Sequence, residues 1–262
     1  MAQQGRLNAI LELVTTRGTV SIQEIVDELN VSAATARRDL NSLSDERLVT
    51  RTHGGGMALG SGYELPLQYK IARNADEKLA IAKAAVALIG LGATVGINGG
   101  TTTTEVAREL GRSEHLISSG EEPGVTVVTN ALNIAFELSV RQHVKIVATG
   151  GVARRQSYEL VGPLVGNTIK ELSFDFAILG VDGLSAGFGA TTIHEGEAEV
   201  SRQIAQAAAQ VIVVADASKL GVSTFARICD LSAIDILVTT NTVSADFRAA
   251  LEDASVTVIV AD

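Results

Sequence analysis

The chain has 262 residues, 46% of them apolar, with aromatics at only 3% and no tryptophan, so its core must be built from Ala, Val, Ile and Leu. Its net charge is −9, yet residues 1–56 hold six arginines against seven acidic residues and are nearly neutral, so the acidity belongs to the remainder. One cysteine, Cys229, excludes an internal disulfide and a cysteine zinc cluster and fits a reducing compartment; with no signal-like start and no unbroken apolar run long enough for a bilayer, a cytoplasmic protein without a membrane partner is expected.

Leu7, Ile10, Leu11 and Val14 recur at helical spacing, and Gly18 suits the end of that first helix. Ser21 with Glu24 three residues on is a capping-box pattern, opening a second helix with Ile22, Ile25, Val26 and Leu29 as its stripe. Asn30-Val31 makes a short turn, and Ser32 is the expected N-cap of a third helix. Ala36, Leu40 and Leu43 give that helix one apolar stripe, with Arg37 and Arg38 pointing away from it. Two helices joined by a short turn, the second capped and basic, match a helix-turn-helix. Residues 48–53 alternate and are β-prone, and Gly54-Gly55-Gly56 breaks them, so a hairpin there forms a wing.

On this reading the partner is double-stranded operator DNA. Arg37 or Arg38 pairs with a guanine edge, Thr35 touches a base or phosphate, and Arg51 or His53 meets backbone or a minor groove. The alternative is a small helical domain that binds protein and leaves both arginines solvated.

A linker is expected over residues 58–76, with Gly54 to Gly62 as its hinge region and a long Ala-rich helix over roughly 67–88. This divides the chain into a DNA-binding domain, 1–57, and an effector-binding and oligomerisation domain, 77–262. From residue 93 short apolar runs alternate with amphipathic stretches. The runs are 93–98, 125–129, 144–149, 174–180, 211–215, 234–239 and 256–260; the helical stretches are 104–110, 132–138, 163–172, 198–209 and 244–253. Buried strands alternating with helices imply an α/β domain with a mainly parallel sheet covered on both faces.

Ligands of such sheets bind at the carboxyl ends of strands. Asn98-Gly99-Gly100-Thr101-Thr102-Thr103-Thr104 ends one strand and starts a helix there. Glycines admit an anion close to backbone N–H groups, threonine hydroxyls add donors, and the helix start adds partial positive charge. A threonine-rich cap on a tight turn is the structural alternative. Thr129-Asn130, Gly150-Gly151 with Arg154, Asp182-Gly183, and Asp216 with Lys219 end further strands. Gathered at one sheet edge they have the profile of a sugar-phosphate site.

No cofactor or metal is expected. Gly90-x-Gly92-x-x-x-Gly96 precedes its strand and lacks dinucleotide spacing, the four histidines are scattered, and the threonine runs lack a partnered base. A sugar-phosphate isomerase with an accessory N-terminal module is the competing class, with Asp182 or Glu197 as base and Lys219 as the cation.

Val31-Ser32-x-x-Thr35-x-Arg37-Arg38-Asp39-Leu40-x-x-Leu43, followed by Arg51-Thr52-His53-Gly54-Gly55, resembles the DeoR-type winged helix-turn-helix of bacterial sugar-metabolism regulators. The strand-end turns resemble that family's effector domain, so the likeness covers nearly the whole chain. It departs at Ala36, where the family has a β-branched residue, at Arg47, where a glycine precedes the wing, and at Asn98, where Asp is common. The resemblance implies a ribose-5-phosphate isomerase-like fold, a phosphorylated sugar or polyol effector, and a homodimer or homotetramer that represses catabolic genes. It implies that Gly99, Gly100, Thr101, Thr102 and Thr103 hold phosphate while Asn130, Asp182, Lys219, Arg154 and Glu197 face the sugar.

Overall fold

The computed structural model describes residues 3–59, 65–71, 73–240 and 243–262. The chain forms two compact units, Met1–Ala72 and Arg73–Asp262.

The first unit contains α1 (Gln3–Arg17), β1 (Thr19–Ser21), α2 (Ile22–Leu29), α3 (Ala33–Asp45), β2 (Val49–Arg51), β3 (Gly55–Ala58) and α4 (Leu67–Lys70). Its core is the predicted set: Leu7, Ile10, Leu11 and Val14 meet Ile25 and the Ala36, Leu40 and Leu43 stripe, all buried. The capping box forms, with Ser21 Oγ accepting from Glu24 N and the Glu24 carboxylate accepting from Ser21 N. Asp39, buried among these apolar groups, takes two hydrogen bonds from Arg6, Nε at 2.8 Å and Nη2 at 3.3 Å, which pins α1 to α3.

Gly55 and Gly56 do not act as a hinge. They lie in β3, the central strand of the antiparallel order β1-β3-β2. A Cβ on Gly55 would stand 1.9 Å from Val20 O, and one on Gly56 would stand 2.8 Å from Leu40 Cδ2. Close approach, not flexibility, requires these glycines. Residues 60–62 of the expected hinge lie outside the described residues. Leu65 and buried Tyr69 pack on this unit's core, and Tyr69 donates to Glu46 Oε2 at 2.6 Å.

The long helix expected over 67–88 is two helices. α4 ends at Lys70, and α5 runs over Ala75–Val86. Asn74 has φ +49°, a left-handed conformation that no α-helix continues through, and Asp76 and Glu77 suit a helix start.

The second unit is built on one parallel sheet of order β15-β14-β12-β9-β4-β5-β6. Its strands are β4 (Ala93–Ile97), β5 (Val125–Thr129), β6 (Val144–Ala148), β9 (Phe174–Gly180), β12 (Ala208–Val214), β14 (Ile236–Thr239) and β15 (Thr257–Val260). The helices α6 (Thr101–Leu110), α7 (Leu132–Leu138), α8 (Pro163–Ile169), α9 (Glu195–Gln206) and α10 (Ala245–Asp253) complete the alternation with α5. Two apolar clusters form the core, one around Ile81, Ile97 and Val106 and the other around Phe174, Leu179 and Ile204. The mainly parallel α/β reading therefore holds, with strand ends within a few residues of expectation.

Two small antiparallel pieces had no clear sequence signal. β7 (Val152–Ala153) pairs with β8 (Leu160–Val161), while β10 (Gly183–Ser185), β11 (Gly189–Thr192) and β13 (Ala226–Cys229) form a three-stranded sheet. The large sheet runs from β4 outward through β5 to β6, then returns to β9 on the other side of β4. That reversal between β4 and β9 is a topological switch point, and it opens a crevice beyond the carboxyl ends of the strands.

Candidate functional site

In the first unit, Ser32 caps α3 by accepting from Thr35 N at 3.1 Å, and its hydroxyl lies 2.9 Å from Thr35 Oγ1. Both hydroxyls are therefore already committed to each other. Arg37 and Arg38 are exposed, on the face opposite Ala36 and Leu40, and neither forms an ion pair with another described residue. β2 and β3 form the wing, with exposed His53 at its turn. Arg51 is half-buried and its Nη1 donates to Gly55 O at 2.5 Å, so its guanidinium braces the wing from within. Arg47 has φ +57°, which gives a physical reason for a glycine before the wing in the resembling family.

In the second unit, β4 delivers Asn98 and Gly99 to the switch point. Asn98 is buried and its amide is fully engaged: Nδ2 donates to Gly180 O and to Ser201 Oγ, and Oδ1 accepts from Gly180 N. Thr103 and Thr104 turn their hydroxyls back to Gly100 O at 3.3 Å and 2.6 Å. Thr101 is half-buried and Thr102 nearly buried, and neither hydroxyl has a hydrogen bond among the described residues. The structure thus divides the phosphate-loop set. Gly99, Gly100, Thr101 and Thr102 line the turn, whereas Asn98 and Thr103 hold it together.

Asn130, at the end of β5, is fully buried. Its Nδ2 donates to Glu159 Oε2 at 2.9 Å and to Leu160 O at 3.1 Å, while its Oδ1 has no hydrogen-bond partner. Glu159 carries no role in the sequence reading, yet it lies at the centre of this group. Its side chain also packs over Gly99, where a Cβ would stand 2.3 Å from Glu159 Cγ. Burial, then the neighbouring Glu197 carboxylate, push the Glu159 carboxyl up to about 8, with Asp182 adding and the Asn130 and Gly99 donors opposing. The sequence signal for Glu159 is slight: one acid in a polar stretch just before the apolar pair Leu160-Val161.

Arg154, from the loop after β7, pairs with Glu197 in the first turn of α9. Asp182 Oδ2 accepts from Thr192 Oγ1 at 2.8 Å and from Ile193 N at 3.3 Å. His194 is the N-cap of α9, its Nδ1 accepting from Gly196 N at 3.0 Å. Gly151 and Gly183 are packing glycines: a Cβ would stand 2.6 Å from Val165 Cγ2 at the first and 2.5 Å from Val222 O at the second. Gly150 turns at φ +76° with open space beside it.

At the end of β12, Asp216 is buried and accepts from Ser218 N at 3.0 Å and from Ser218 Oγ, leaving Lys219 half-buried three residues beyond this cap. Lys78, on α5, is the second group without a role in the sequence reading. It is buried, donates to Arg73 O, and lies in the field of Asp216, Lys219, Glu105 and Arg73. Burial pushes its ammonium down to about 8, with Asp216 opposing.

Asp182, Glu159 and Glu197 are thus neighbours, with Arg154 on Glu197, and Lys78 has Lys219 and Asp216 as neighbours. Two clefts of about 690 and 730 Å³ lie elsewhere, one around Gly111, Arg141 and Lys145 and one between α8 and Gln203. Among the described residues no group of His, Cys, Asp or Glu has the arrangement to hold a metal ion, and no helix is long and apolar enough to cross a membrane. Burial raises the Cys229 thiol to about 11, which suppresses its thiolate.

Residues 6–60 match the DeoR-like helix-turn-helix domain, and residues 73–241 match the DeoR C terminal sensor domain. The chain is 36% identical to the HTH-type transcriptional regulator GlpR of Haloferax volcanii over 97% of its own length and 96% of that protein. It is 32% identical to the glycerol-3-phosphate regulon repressor of Escherichia coli K12, over 91% of each chain. Against the HTH-type transcriptional repressor GlcR of Bacillus subtilis the identity is 33%, over 91% of this chain and 89% of that one. Among solved structures, ribose 5-phosphate isomerase A of Methanocaldococcus jannaschii matches with TM-score 0.40 and 23% identity over 56% of this chain and 55% of that chain. With both domains matched in order and relatives aligned end to end, the chain belongs to the DeoR family of transcriptional regulators.

Proposed function

We propose that this regulator is a repressor of sugar or polyol catabolic genes, and that a phosphorylated sugar or polyol bound in the switch-point crevice controls its hold on operator DNA. The observation that carries this reading is the presence in one chain of two exposed arginines, without an ion pair among the described residues, on a capped helix and of a glycine–threonine turn at a switch point. Arg37 and Arg38 are free to meet base edges and phosphates, with His53 at the wing tip and Ser32 and Thr35 fixing the helix start. Thr101, Thr102, Gly99 and Gly100 are suited to an anion, while Asn130, Asp182, Gly150, Arg154, Glu197 and Lys219 supply hydroxyl and charge contacts around it. Two or four copies would set paired reading helices against related half-sites of cytoplasmic DNA.

The isomerase reading is the weaker one. Its candidate base Asp182 is tied to Thr192 and Ile193, and Glu197 is paired with Arg154, so neither stands as a freely positioned base. The relatives named above are also transcriptional regulators or repressors.

The test is a mobility-shift titration on the DNA upstream of the protein's own gene, with a parallel thermal-shift screen of phosphorylated sugars and polyols. Retarded DNA that is released by one compound which also raises the melting temperature is the expected result. DNA binding indifferent to every stabilising compound overturns the effector assignment. Turnover of ribose 5-phosphate by the purified chain overturns the regulatory one.

A further inference from the structure

Glu159 sits where an incoming anion needs to be held. Its carboxyl group takes a hydrogen bond from Asn130 Nδ2 at 2.9 Å. The side chain lies so close over the turn that a Cβ on Gly99 would stand 2.3 Å from Glu159 Cγ and 2.9 Å from Oε1. The glycine at 99 thus already admits a carboxyl group, and that group belongs to the chain itself.

Donor stoichiometry then decides what a ligand can do. Asn130 has two amide hydrogens, one on Glu159 and one on Leu160 O. The Glu159 carboxyl also fills the space over Gly99, its Cδ 2.6 Å from where a Cβ would stand. A second anion finds neither an open Asn130 donor nor room over Gly99 while Glu159 stays. We propose that Glu159 is a tethered plug, its carboxyl group occupying the Asn130 donor and the space over Gly99 that receive the effector's anionic group, so that effector binding requires its displacement.

The buried Asn130 Oδ1, without a partner, is an acceptor open to a hydroxyl of the incoming ligand once the plug has moved.

The plug is wired into the surrounding backbone. Glu159 bridges Ala131, Leu160 N donates to Asn130 O at 2.7 Å, Leu132 N donates to Tyr158 O at 3.0 Å, and Arg154 N donates to Glu159 O at 2.8 Å. Tyr158, immediately before it, is held at φ +61°. Removing the carboxyl group from Asn130 and from its place over Gly99 loosens this segment and, through Arg154, the start of α9. A ligand would in this way change the conformation of residues 154–161 by taking over the Asn130 hydrogen bond.

This inference rests on the effector reading of the crevice, and inorganic phosphate serves as the probe for both. Wild-type chain, Glu159→Gln and Glu159→Ala are titrated by calorimetry, with Thr101→Val/Thr102→Val as the control for the site. Glu159→Ala is expected to bind phosphate at least tenfold tighter than wild type, with Glu159→Gln between them. Saturating phosphate is expected to speed amide hydrogen exchange at Leu132 and Leu160 in the wild-type chain, a measurement that stands even if the alanine variant does not fold. Equal or weaker binding by Glu159→Ala, or slower exchange at those amides, overturns the plug. Binding that requires Thr101 and Thr102 but ignores Glu159 removes the plug and keeps the site. Phosphate that binds no chain, or binds without regard to Thr101 and Thr102, removes both.

Discussion

Asn98 and Gly180 exchange two hydrogen bonds across the switch point, Nδ2 to Gly180 O at 2.9 Å and Gly180 N to Oδ1 at 2.8 Å. The same amide reaches Ser201 Oγ at 3.0 Å and so ties β4 to both β9 and α9. Only a side chain that donates and accepts can make this set. An aspartate keeps the bond from Gly180 N and turns a carboxylate oxygen toward the Gly180 carbonyl. Asn98→Asp is therefore expected to lower stability by about 1–3 kcal/mol, the cost of leaving a buried group without its partner. Chemical denaturation measures it. A variant as stable as wild type shows that the neighbourhood rearranges and that the amide is not a strut.

Arg47 gives the opposite sign. At φ +57° it holds a conformation that costs an L-residue about 1–2 kcal/mol, and glycine returns about 0.5–1 kcal/mol of that as unfolded-chain entropy. Arg47→Gly is expected to stabilise the chain by about 0.5–1 kcal/mol in the same denaturation experiment. A destabilised variant means that the exposed guanidinium contributes something the backbone argument leaves out.

Much of this organisation is legible without coordinates because it is local. Caps such as Ser21 and Ser32 need three or four residues to form, and the stripes of α1 and α3 need only helical spacing. The parallel strands announce themselves as short apolar runs. What escapes is what depends on partners distant in sequence. Gly55 reads as flexible until Val20 O is found against it, and Gly183 reads as a ligand turn until Val222 O is. Asp39 reads as part of a basic motif, but its partner Arg6 lies 33 residues away. Glu159 gains its meaning from Gly99 and Asn130, which no spacing rule connects to it.

The two arginines of α3 separate base reading from backbone holding. A bidentate pair with a guanine contributes about 1–3 kcal/mol of discrimination, whereas a phosphate contact contributes affinity on any sequence. Alanine at Arg37 and at Arg38, tested singly, is expected to weaken operator binding at either position. The variant that also relaxes preference for the operator over random DNA identifies the base reader. The phosphate contact lowers the steepness of the salt dependence by about one unit of log–log slope. Unchanged operator affinity in the double variant removes α3 from the DNA interface.

Threonines in the β4–α6 turn fall into two classes with different expected phenotypes. Thr103 is fully buried and bonds Gly100 O, so Thr103→Val is expected to destabilise the second unit by about 1 kcal/mol. Thr101 and Thr102 have hydroxyls without a hydrogen bond among the described residues, so Thr101→Val/Thr102→Val is expected to melt near wild type, bind operator normally, and lose release by a phosphorylated effector. If the double variant instead unfolds, the two threonines are part of the cap and not of the anion site.

Glu159 sets a pH dependence whose sign follows from its environment. Its folded-state carboxyl titrates at about 8, well above the unfolded value near 4.5, so the folded chain holds this proton more tightly. The resulting stabilisation is fully present below about pH 4.5 and is lost progressively as pH rises through 8. Across that window ionisation adds one negative charge beside Glu197 and Asp182 without adding a cation. Glu159→Gln removes the titration and leaves the other carboxylates in place. The difference in unfolding free energy between wild type and Glu159→Gln is therefore expected to shift in favour of the variant between pH 5 and pH 8, and to level off above. Parallel pH–stability curves for the two chains mean that Glu159 titrates near its ordinary value, with Asn130 and Gly99 outweighing burial.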